Sequence, residues 1–342
     1  MNMIRLSLSR RRSARATALT ALTTSLVVFA STALAACSPP AEQPSEGGSG
    51  GDGFPRTVSH AMGETAIDTR PETVAALDSS FVDAALALET KVVAYTKYPA
   101  SDTPPDYLGD DVGFLSDARV VGDLASPDVE ALYDIAPDLV VSAKVRHESI
   151  YNELSNVAPT VFSETTGATW KDNIRLLAEA LGKEDLAERK IADYERRAEA
   201  IGKAIEEKEG GMPTYSLVRF VEGEPTVRLY TPESFPGIVA SDVGLRRPEG
   251  QPSGGSGIAV ELSQEQIGQL DADHIWVSSY VDDTQKAENP RSAFESNPLW
   301  DTLSGEISEV SDQTWYVSVS LQGAHAMLDD IAERFGVDPA RE

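Results

Sequence analysis

A long helical segment in the middle of the chain separates two halves that follow a different pattern. Residues 184–209 are rich in Ala, Glu, Lys and Arg and contain no Pro. Their apolar side chains fall on one stripe, with charged side chains elsewhere: Ile191, Tyr194, Ala198, Ile201 and Ile205. At ~1.5 Å per residue this helix would be about 39 Å long, and its stripe is too short for a coiled coil. We therefore predict a helix that packs along two lobes and joins them.

On both sides of that helix, short apolar runs alternate with helical patterns. In the first half, residues 92–95 and 139–142 are typical of buried strands, and residues 79–89 and 127–135 of helices. The second half has four further strand-like runs and a closing helix: 215–221, 227–230, 274–279 and 315–319, then the helix 324–335. Such alternation predicts an α/β fold whose sheets are largely parallel.

The first 36 residues have the composition of a secretory signal peptide. They contain five arginines and no acidic residue, and an apolar run extends from residue 16 to residue 36. Cys37 is the only cysteine; it follows Leu-Ala-Ala and precedes a polar tract rich in Ser, Pro, Gly and Glu. This arrangement resembles the lipobox of bacterial lipoproteins, in which the cysteine becomes the mature N-terminus and carries a diacylglyceryl group, and two acyl chains give stable anchoring. We expect lipidation at Cys37; the alternatives are an ordinary signal peptide with an incidental cysteine, or an uncleaved anchor.

The charge of the chain argues against several classes of partner. The 342 residues carry a formal net charge of −26, and the part after residue 36 is more acidic still because five arginines precede it. The sequence has no basic face to neutralise phosphates, which argues against nucleic acid. No second apolar stretch reaches the ~18 residues needed to span a bilayer. With one cysteine there is no intramolecular disulfide, so stability must come from packing.

One pattern occurs in both halves. Glu130 precedes Asp138 by eight residues, and Glu265 precedes Asp273 by eight residues. In each case the glutamate lies in the first turn of a predicted helix, and the aspartate leads into a buried strand. A glutamate at a helix start can simply complement the helix dipole. Two glutamates at the same offset from the same kind of strand indicate a duplicated lobe with an equivalent point on each half.

Several segments, taken in this order, make the chain similar to a known family: the lipid-anchored substrate-binding proteins of ABC importers for ferric siderophores, haem and cobalamin. The segments are Arg70-Pro-Glu-Thr-Val-Ala-Ala-Leu-Asp with Thr90-Lys-Val-Val-Ala-Tyr, Val121-Gly-Asp-Leu-Ala-Ser-Pro-Asp-Val-Glu-Ala-Leu with Ala136-Pro-Asp-Leu-Val-Val, Asn156-Val-Ala-Pro-Thr-Val, Leu270-Asp-Ala-Asp-His-Ile-Trp-Val and Asn297-Pro-Leu-Trp-Asp-Thr-Leu. The likeness extends from about Arg56 to Val337 and so includes nearly all of the chain after the signal peptide.

The resemblance implies two Rossmann-like α/β lobes joined by a single long rigid helix, with the ligand in the cleft between the lobes and only a small closure. We accordingly divide the chain into a lipoprotein signal peptide (1–36), a flexible tether (37–55), an N-terminal α/β lobe (56–168), a helical region with the inter-lobe helix (169–209) and a C-terminal α/β lobe (210–342). The resemblance also implies that Glu130 and Glu265 match the positions whose carboxylates dock onto arginines of the importer's membrane subunits, one anion per lobe. We expect a monomer held at the outer face of the cell membrane by its lipid, with no catalytic residues and no intrinsic cofactor.

The candidate ligand-binding residues are arginines and tyrosines near strand ends. A ferric siderophore offers negatively charged or carbonyl oxygens and apolar faces, so its pocket needs Arg beside aromatic rings. Arg146 follows the predicted strand 139–142, at the edge where α/β folds bind ligands. Arg219 lies in a predicted strand, where a charge is costly unless it is paired. With what the family implies, we predict six ligand-binding residues: Arg146, Arg219, Arg228, Tyr230, Tyr98 and Tyr280. A structural salt bridge or a solvated sheet edge is the alternative for the arginines, and loop packing is the alternative for Tyr98 and Tyr280.

The identity of the ligand stays open at this point. We predict a ferric siderophore, but haem and cobalamin binders share the fold. A manganese or zinc binder would need convergent His and carboxylate ligands, and the four histidines occupy unrelated settings. An enzyme is a further alternative, but no Gly-x-Ser-x-Gly elbow lies between a predicted strand and a predicted helix. A surface adhesin without a small ligand is another. One departure concerns the pocket: many relatives carry a Trp near positions 321–322, whereas this chain has Leu and Gln there and places Trp315 in the predicted strand 315–319.

Overall fold

The computed structural model describes residues 53–99, 101, 103–255, 257–280 and 290–341. The predicted signal peptide, Cys37 and most of the predicted tether lie outside the described residues. The described chain forms two five-stranded sheets, and each sheet is built from one half of the sequence. The predicted α/β fold with two lobes is therefore confirmed.

The N-terminal lobe consists of a hairpin, a parallel sheet and the helices that cover it. Its strands are β1 (Arg56–His60), β2 (Gly63–Ile67), β3 (Thr73–Ala76), β4 (Lys91–Tyr95), β5 (Arg119–Val120), β6 (Gly122–Asp123), β7 (Ser126–Pro127), β8 (Leu139–Ala143) and β9 (Thr160–Ser163). Its helices are α1 (Ser79–Ala87), α2 (Val129–Ile135), α3 (Lys144–His147) and α4 (Tyr151–Ser155), with 3₁₀ helices at Asp106–Leu115 and Glu148–Ile150. The sheet has the order β5-β4-β3-β8-β9, and every neighbouring pair in it is parallel.

Two helices carry the chain from the first sheet to the second. They are α5 (Trp170–Leu181) and α6 (Glu184–Glu209), and each ends at a glycine in the left-handed conformation, Gly182 and Gly210. The bounds of α6 are those predicted from the sequence. The five residues of the predicted apolar stripe are all buried, which confirms the face on which this helix packs.

The C-terminal lobe contains a mixed sheet. Its strands are β10 (Tyr215–Val221), β11 (Val227–Tyr230), β12 (Ala259–Leu262), β13 (His274–Tyr280) and β14 (Glu306–Glu309). Its helices are α7 (Phe235–Val243), α8 (Arg291–Glu295) and α9 (Leu321–Phe335), with 3₁₀ helices at Gln264–Leu270 and Trp300–Thr302 and a π-helical turn at Gln313–Val317. The sheet order is β12-β11-β10-β13-β14; β10, β13 and β14 are parallel, whereas β11 and β12 are antiparallel to their neighbours.

One apolar core is shared by the two lobes. Buried side chains of α1, α5, α6, α7 and α9 belong to a single cluster, which includes Leu86, Ile201 and Leu328. The amide of Gln322, at the start of α9, also donates to the backbone carbonyl of Asp83 in α1 at 3.1 Å. The two lobes are thus packed against each other through these helices.

The duplicated sequence pattern corresponds to a duplicated clamp at the strand starts. Asp138 Oδ2 accepts hydrogen bonds from the backbone N–H and the hydroxyl of Thr73, at 2.9 and 2.8 Å, and Asp273 Oδ2 accepts the same two bonds from Thr214, at 2.8 and 2.7 Å. Each threonine hydroxyl also accepts from the backbone N–H of its aspartate. The clamp joins β3 to β8 in one lobe and β10 to β13 in the other, so both pairs of central strands start in the same register.

Two local predictions from the sequence are wrong. Residues 315–319 do not form a strand, because Trp315 and Tyr316 are buried by tertiary packing in the π-helical turn, with the Trp315 ring 4.9 Å from that of Trp276. The helix predicted from residue 127 begins at Val129 instead, because Asp128 caps it by accepting from the Ala131 N–H at 3.0 Å.

Candidate functional site

A cavity of about 320 Å³ lies between the two lobes. The N-terminal lobe lines it with the start of α1 and with α3, and the C-terminal lobe with β10, β11, β13 and the π-helical turn. The parallel strands β3, β8, β10 and β13 end at this edge, which is where open α/β sheets bind ligands. Four of the six predicted ligand-binding residues line the cavity: Arg146, Arg219, Arg228 and Tyr280.

Arg219 is held in the cavity by several hydrogen bonds and by contacts with two aromatic rings. Its Nε donates to Asp312 Oδ1 at 2.7 Å and its Nη2 to Asp312 Oδ2 at 2.6 Å, while Nη1 donates to the hydroxyl of Tyr230 at 3.2 Å. The guanidinium carbon lies 4.9 and 5.3 Å from the ring centres of Tyr280 and Tyr316. Burial disfavours the charged guanidinium, but the hydrogen bond and charge of Asp312 outweigh it and raise the pKa of Arg219. Arg219 therefore stays protonated, and its contacts hold the guanidinium in one position.

Arg228 is paired in a similar way on the neighbouring strand. It lies opposite Arg219 in the register of β10 and β11. Its Nε donates to Glu224 at 2.9 Å and its Nη2 to the other carboxylate oxygen of Glu224. This hydrogen bond is the main reason that the pKa of Arg228 is raised. Both C-terminal-lobe arginines thus present a guanidinium to the cavity and hold a carboxylate with their other edge.

Arg146 supplies the guanidinium of the N-terminal lobe, and it is held less tightly. Its Nε donates to Asp78 Oδ2 at 3.0 Å, and its side chain is 40% exposed, whereas that of Asp78 is 4% exposed. The other oxygen of Asp78 accepts from the backbone N–H and hydroxyl of Ser80 and so caps α1. Arg146 is thereby attached to the start of α1 by one hydrogen bond.

The remaining predicted tyrosines lie behind the cavity or away from it. Tyr230 is buried, its hydroxyl accepts from the Arg219 guanidinium, and its ring packs 4.6 Å from that of Tyr316. Tyr98 is buried in the N-terminal lobe, where its hydroxyl donates to Asp83 at 2.7 Å. The structure therefore does not bring Tyr98 to the cavity: a buried carboxylate takes up its hydroxyl.

Four residues that shape the site were missed by sequence reasoning: Asp78, Glu224, Asp312 and Tyr316. Asp78 and Asp312 orient arginines that are 68 and 93 residues away in sequence, so no local pattern indicates either pairing. Tyr316 lies in the segment predicted as a strand. The weak signal that could have indicated the acids was Arg219 itself, because a buried cation needs a partner.

His147, next to Arg146, has a structural role in this arrangement. It is buried, its Nε2 is 2.6 Å from the carbonyl oxygen of Leu124, and its Nδ1 is 2.7 Å from the hydroxyl of Ser142. Since a carbonyl only accepts, Nε2 carries the proton and Nδ1 accepts from Ser142. Burial lowers the pKa of His147 and keeps the ring neutral. The histidine connects the end of β8 to the loop that lines the cavity at Leu124.

A larger cavity, of about 670 Å³, is lined by residues of α6, α9 and the C-terminal segment. Its central cation, Arg197, donates to the carbonyls of Pro339 and His325 and to the carboxylate of Asp329. These contacts tie α6 to α9 and to the end of the chain. The smaller cavity is the better candidate site, because it alone of these two receives strand ends from both lobes.

The two duplicated glutamates lie at helix starts and are exposed. Glu130 is in the first turn of α2, and Glu265 is in the first turn of the 3₁₀ helix Gln264–Leu270. The docking role that the resemblance implies requires exposed carboxylates, and both of these are exposed. Asp128 and the Ser263 capping box satisfy the two helix starts, so neither glutamate is needed as a cap.

Two features are absent from the described ranges. No helix within them has the length and hydropathy that crossing a bilayer requires. Nor do three or more His, Cys, Asp or Glu side chains within those ranges converge as metal ligands.

The sequence and the fold of this chain are similar to those of several known proteins. The probable siderophore-binding lipoprotein YfiY of Bacillus subtilis (strain 168) is 35% identical over 299 residues, which are 82% of this chain and 87% of that relative. The Fe(3+)-citrate-binding protein YfmC of the same organism is 25% identical over 289 residues, 82% of this chain and 85% of that relative. The crystal structure of Staphylococcus aureus SirA complexed with staphyloferrin B has a TM-score of 0.74 and 27% identity, covering 83% of this chain and 99% of that one. Because the periplasmic binding protein family matches residues 74–304, the chain belongs to that family.

Proposed function

We propose that this protein captures a ferric siderophore complex and delivers it to an ABC importer for iron uptake. The observation that carries the proposal is the inter-lobe cavity, which receives an arginine from the N-terminal lobe and two from the C-terminal lobe beside tyrosine rings. Guanidinium groups suit the oxygen-rich surface of a ferric chelate, and tyrosine rings suit its apolar faces. The names of the similar proteins, a siderophore-binding lipoprotein and an iron-citrate-binding protein, support the same class. We infer that the protein acts by binding and transfer, without catalysis.

The direct test is tryptophan fluorescence quenching with a panel of ferric hydroxamates, ferric catecholates, haem and cobalamin. Trp315 adjoins Tyr316, which lines the cavity, so a coloured chelate bound there is expected to quench emission. At least one ferric siderophore should bind saturably and more tightly than haem or cobalamin. If only haem or cobalamin bound saturably, the siderophore would be rejected as the ligand, but a role in the uptake of haem or cobalamin would still be supported.

We further propose that Glu130 and Glu265 dock the protein onto the two membrane subunits of the importer. Both carboxylates are exposed and each lobe supplies one, which suits a partner with two-fold symmetry. The charge reversal Glu130→Arg/Glu265→Arg is expected to abolish uptake in cells and to leave chelate affinity unchanged, because like charges at an interface cost several kcal/mol. Its matched control is Glu207→Arg/Glu209→Arg, which makes the same charge change on exposed residues at the end of α6, where cations are favourable. Normal uptake by the first double variant would reject this docking model.

We propose that the protein is held to the membrane by a lipid on Cys37 and functions outside the cytoplasm as a monomer. Cys37→Ser is expected to abolish incorporation of labelled fatty acid and to release the protein from the membrane fraction. Chelate affinity of the released protein should match that of the parent. Retention of the variant in the membrane fraction at the parental level would reject the lipid anchor.

A further inference from the structure

Every arginine that lines the inter-lobe cavity is paired with a carboxylate. Arg219 is paired with Asp312, Arg228 with Glu224 and Arg146 with Asp78. Three guanidinium charges are thus matched by three carboxylate charges within hydrogen-bond distance. One step outward on the N-terminal lobe, Lys144 is also paired, with Glu164 at 3.0 Å. Among the described residues that line the cavity and their direct partners, positive and negative charges balance.

The pairing leaves hydrogen-bond donors in the cavity but little net positive potential. A guanidinium has five N–H groups, and the three contacts of Arg219 to Asp312 and Tyr230 leave two of its N–H groups for a ligand. The rings of Tyr280 and Tyr316 and the side chains of Val221, Val317 and Val319 form the apolar part of the wall. Outside the cavity the protein is strongly acidic, with a formal charge of −26 over the chain. The field of the whole protein therefore repels a polyanion, and balanced ion pairs in the cavity do not offset that repulsion.

Resting on the siderophore function proposed above, we propose that the ligand class is a ferric chelate of low total charge, neutral or singly negative, and not a trianionic one. The common chelating groups differ in this respect by simple charge counting. Fe³⁺ with three hydroxamates is neutral, Fe³⁺ with two hydroxamates and one α-hydroxycarboxylate carries one negative charge, and Fe³⁺ with three catecholates carries three. The cavity recognises such a chelate through oriented N–H donors and aromatic contacts, so its selectivity depends on the three carboxylates behind the arginines as much as on the arginines.

The test measures affinities of the purified protein and of Glu224→Gln for three hexadentate probes: a ferric trihydroxamate, a ferric dihydroxamate–hydroxycarboxylate and a ferric tricatecholate. The parent protein should bind the first two more tightly than the third. Glu224→Gln removes one compensating charge while its amide oxygen still accepts from Arg228. This variant should shift the affinity ratio of tricatecholate to trihydroxamate in favour of the trianion by roughly tenfold at low salt. High salt should reduce the shift.

The matched control is Glu199→Gln, which makes the same substitution in an exposed ion pair with Lys203 on α6. It removes the same charge from the protein away from the cavity, so the ratio should stay at the parental value. A parent that binds the tricatecholate most tightly would overturn the charge class but leave the siderophore function intact. An unchanged ratio in Glu224→Gln, or an equal shift in Glu199→Gln, would overturn the role of the paired carboxylates. Failure of all three probes to bind would reject the proposed function itself, and the charge class with it.

Discussion

The two lobes start their central strands in the same way but present different surfaces to the cavity. At the strand starts, Asp138 and Thr73 in one lobe repeat the clamp of Asp273 and Thr214 in the other, with distances that agree within about 0.1 Å. At the strand ends, the C-terminal lobe has a mostly buried arginine that holds a carboxylate with two hydrogen bonds and lies near two tyrosine rings, whereas the N-terminal lobe has a 40% exposed arginine on one hydrogen bond. The comparison shows that the duplicated frame has been kept at one edge of the sheets and specialised at the other.

In the binding role proposed for the cavity, this difference gives the two lobes different parts. A guanidinium fixed by Asp312, Tyr230, Tyr280 and Tyr316 has little freedom left to lose when a ligand arrives, so it is preorganised. Arg146 keeps most of its freedom, and it can adjust to ligands of different outline. The C-terminal lobe thus provides the fixed half of the cavity and the N-terminal lobe the adjustable half.

The largest expected effect comes from removing the fixed arginine. Arg219→Ala removes two charge-assisted hydrogen bonds from Asp312, which is 15% exposed and keeps only the bond from the Ser278 hydroxyl, and this loss should cost up to about 3 kcal/mol of stability. Chelate affinity should fall by about 1–3 kcal/mol, the range for losing hydrogen bonds to a charged group. Urea denaturation and fluorescence titration measure the two quantities on one sample.

Arg146→Ala is the matched variant on the other lobe. Its partner Asp78 is buried but keeps both bonds from Ser80, and Arg146 contributes a single hydrogen bond from a 40% exposed side chain, so the free energy of unfolding should fall by only about 1 kcal/mol. Affinity should fall, but less than in Arg219→Ala. Equal losses of stability in the two variants would contradict the division into a fixed and an adjustable half.

An intermediate effect is expected at the duplicated clamp. Asp138→Ala and Asp273→Ala each remove hydrogen bonds that a carboxylate accepts from a strand start, and each should lower the free energy of unfolding by about 1–3 kcal/mol. Because the clamp is at the opposite edge of the sheets from the cavity, chelate affinity should be unchanged in both. If one variant were neutral and the other strongly destabilised, the two clamps would not be equivalent despite their matching geometry.

The parts of the fold that could be predicted are those whose signals are local. The bounds of α6 follow from flanking glycines and an uninterrupted run of helix-forming residues, and β10 follows from a buried run that ends at a polar loop. The position of Arg146 could be predicted because parallel strands bring their carboxyl ends to one edge. Arg219 was indicated by a charge inside a predicted strand and by the family resemblance. The glutamates at equal offsets indicated the duplication, and the clamp beside them explains it.

The parts that could not be predicted depend on contacts between distant segments. The run containing Trp315 and Tyr316 has the composition of a strand, but packing against Trp276 and Tyr230 turns it into a π-helical turn. Tyr98 was expected at the ligand because tyrosines are common there; its hydroxyl instead meets a carboxylate that is buried in α1. Composition alone does not distinguish a tyrosine that faces a ligand from one that satisfies a buried acid.

The smallest expected effect concerns that buried acid, Asp83, at the junction between the lobes. Burial raises its pKa from 3.8 to about 7, although hydroxyls of Tyr98, Tyr107 and Ser320 donate to it and lower the pKa in part; the nearby charge of Asp78 raises it. Since the folded-state pKa is above the unfolded value, the stability contributed by Asp83 is complete below about pH 4 and is lost as the pH rises through 7. Asp83→Asn should therefore gain melting temperature over the parent by a few degrees, ~2–4 °C, between pH 5 and pH 8. Tyr107→Phe removes a hydrogen bond that lowers the pKa of Asp83, so the loss of stability with rising pH should be larger and should extend to higher pH. A difference between Asp83→Asn and the parent that stays constant with pH would mean that Asp83 does not titrate in this range, and that the junction between the lobes is indifferent to pH.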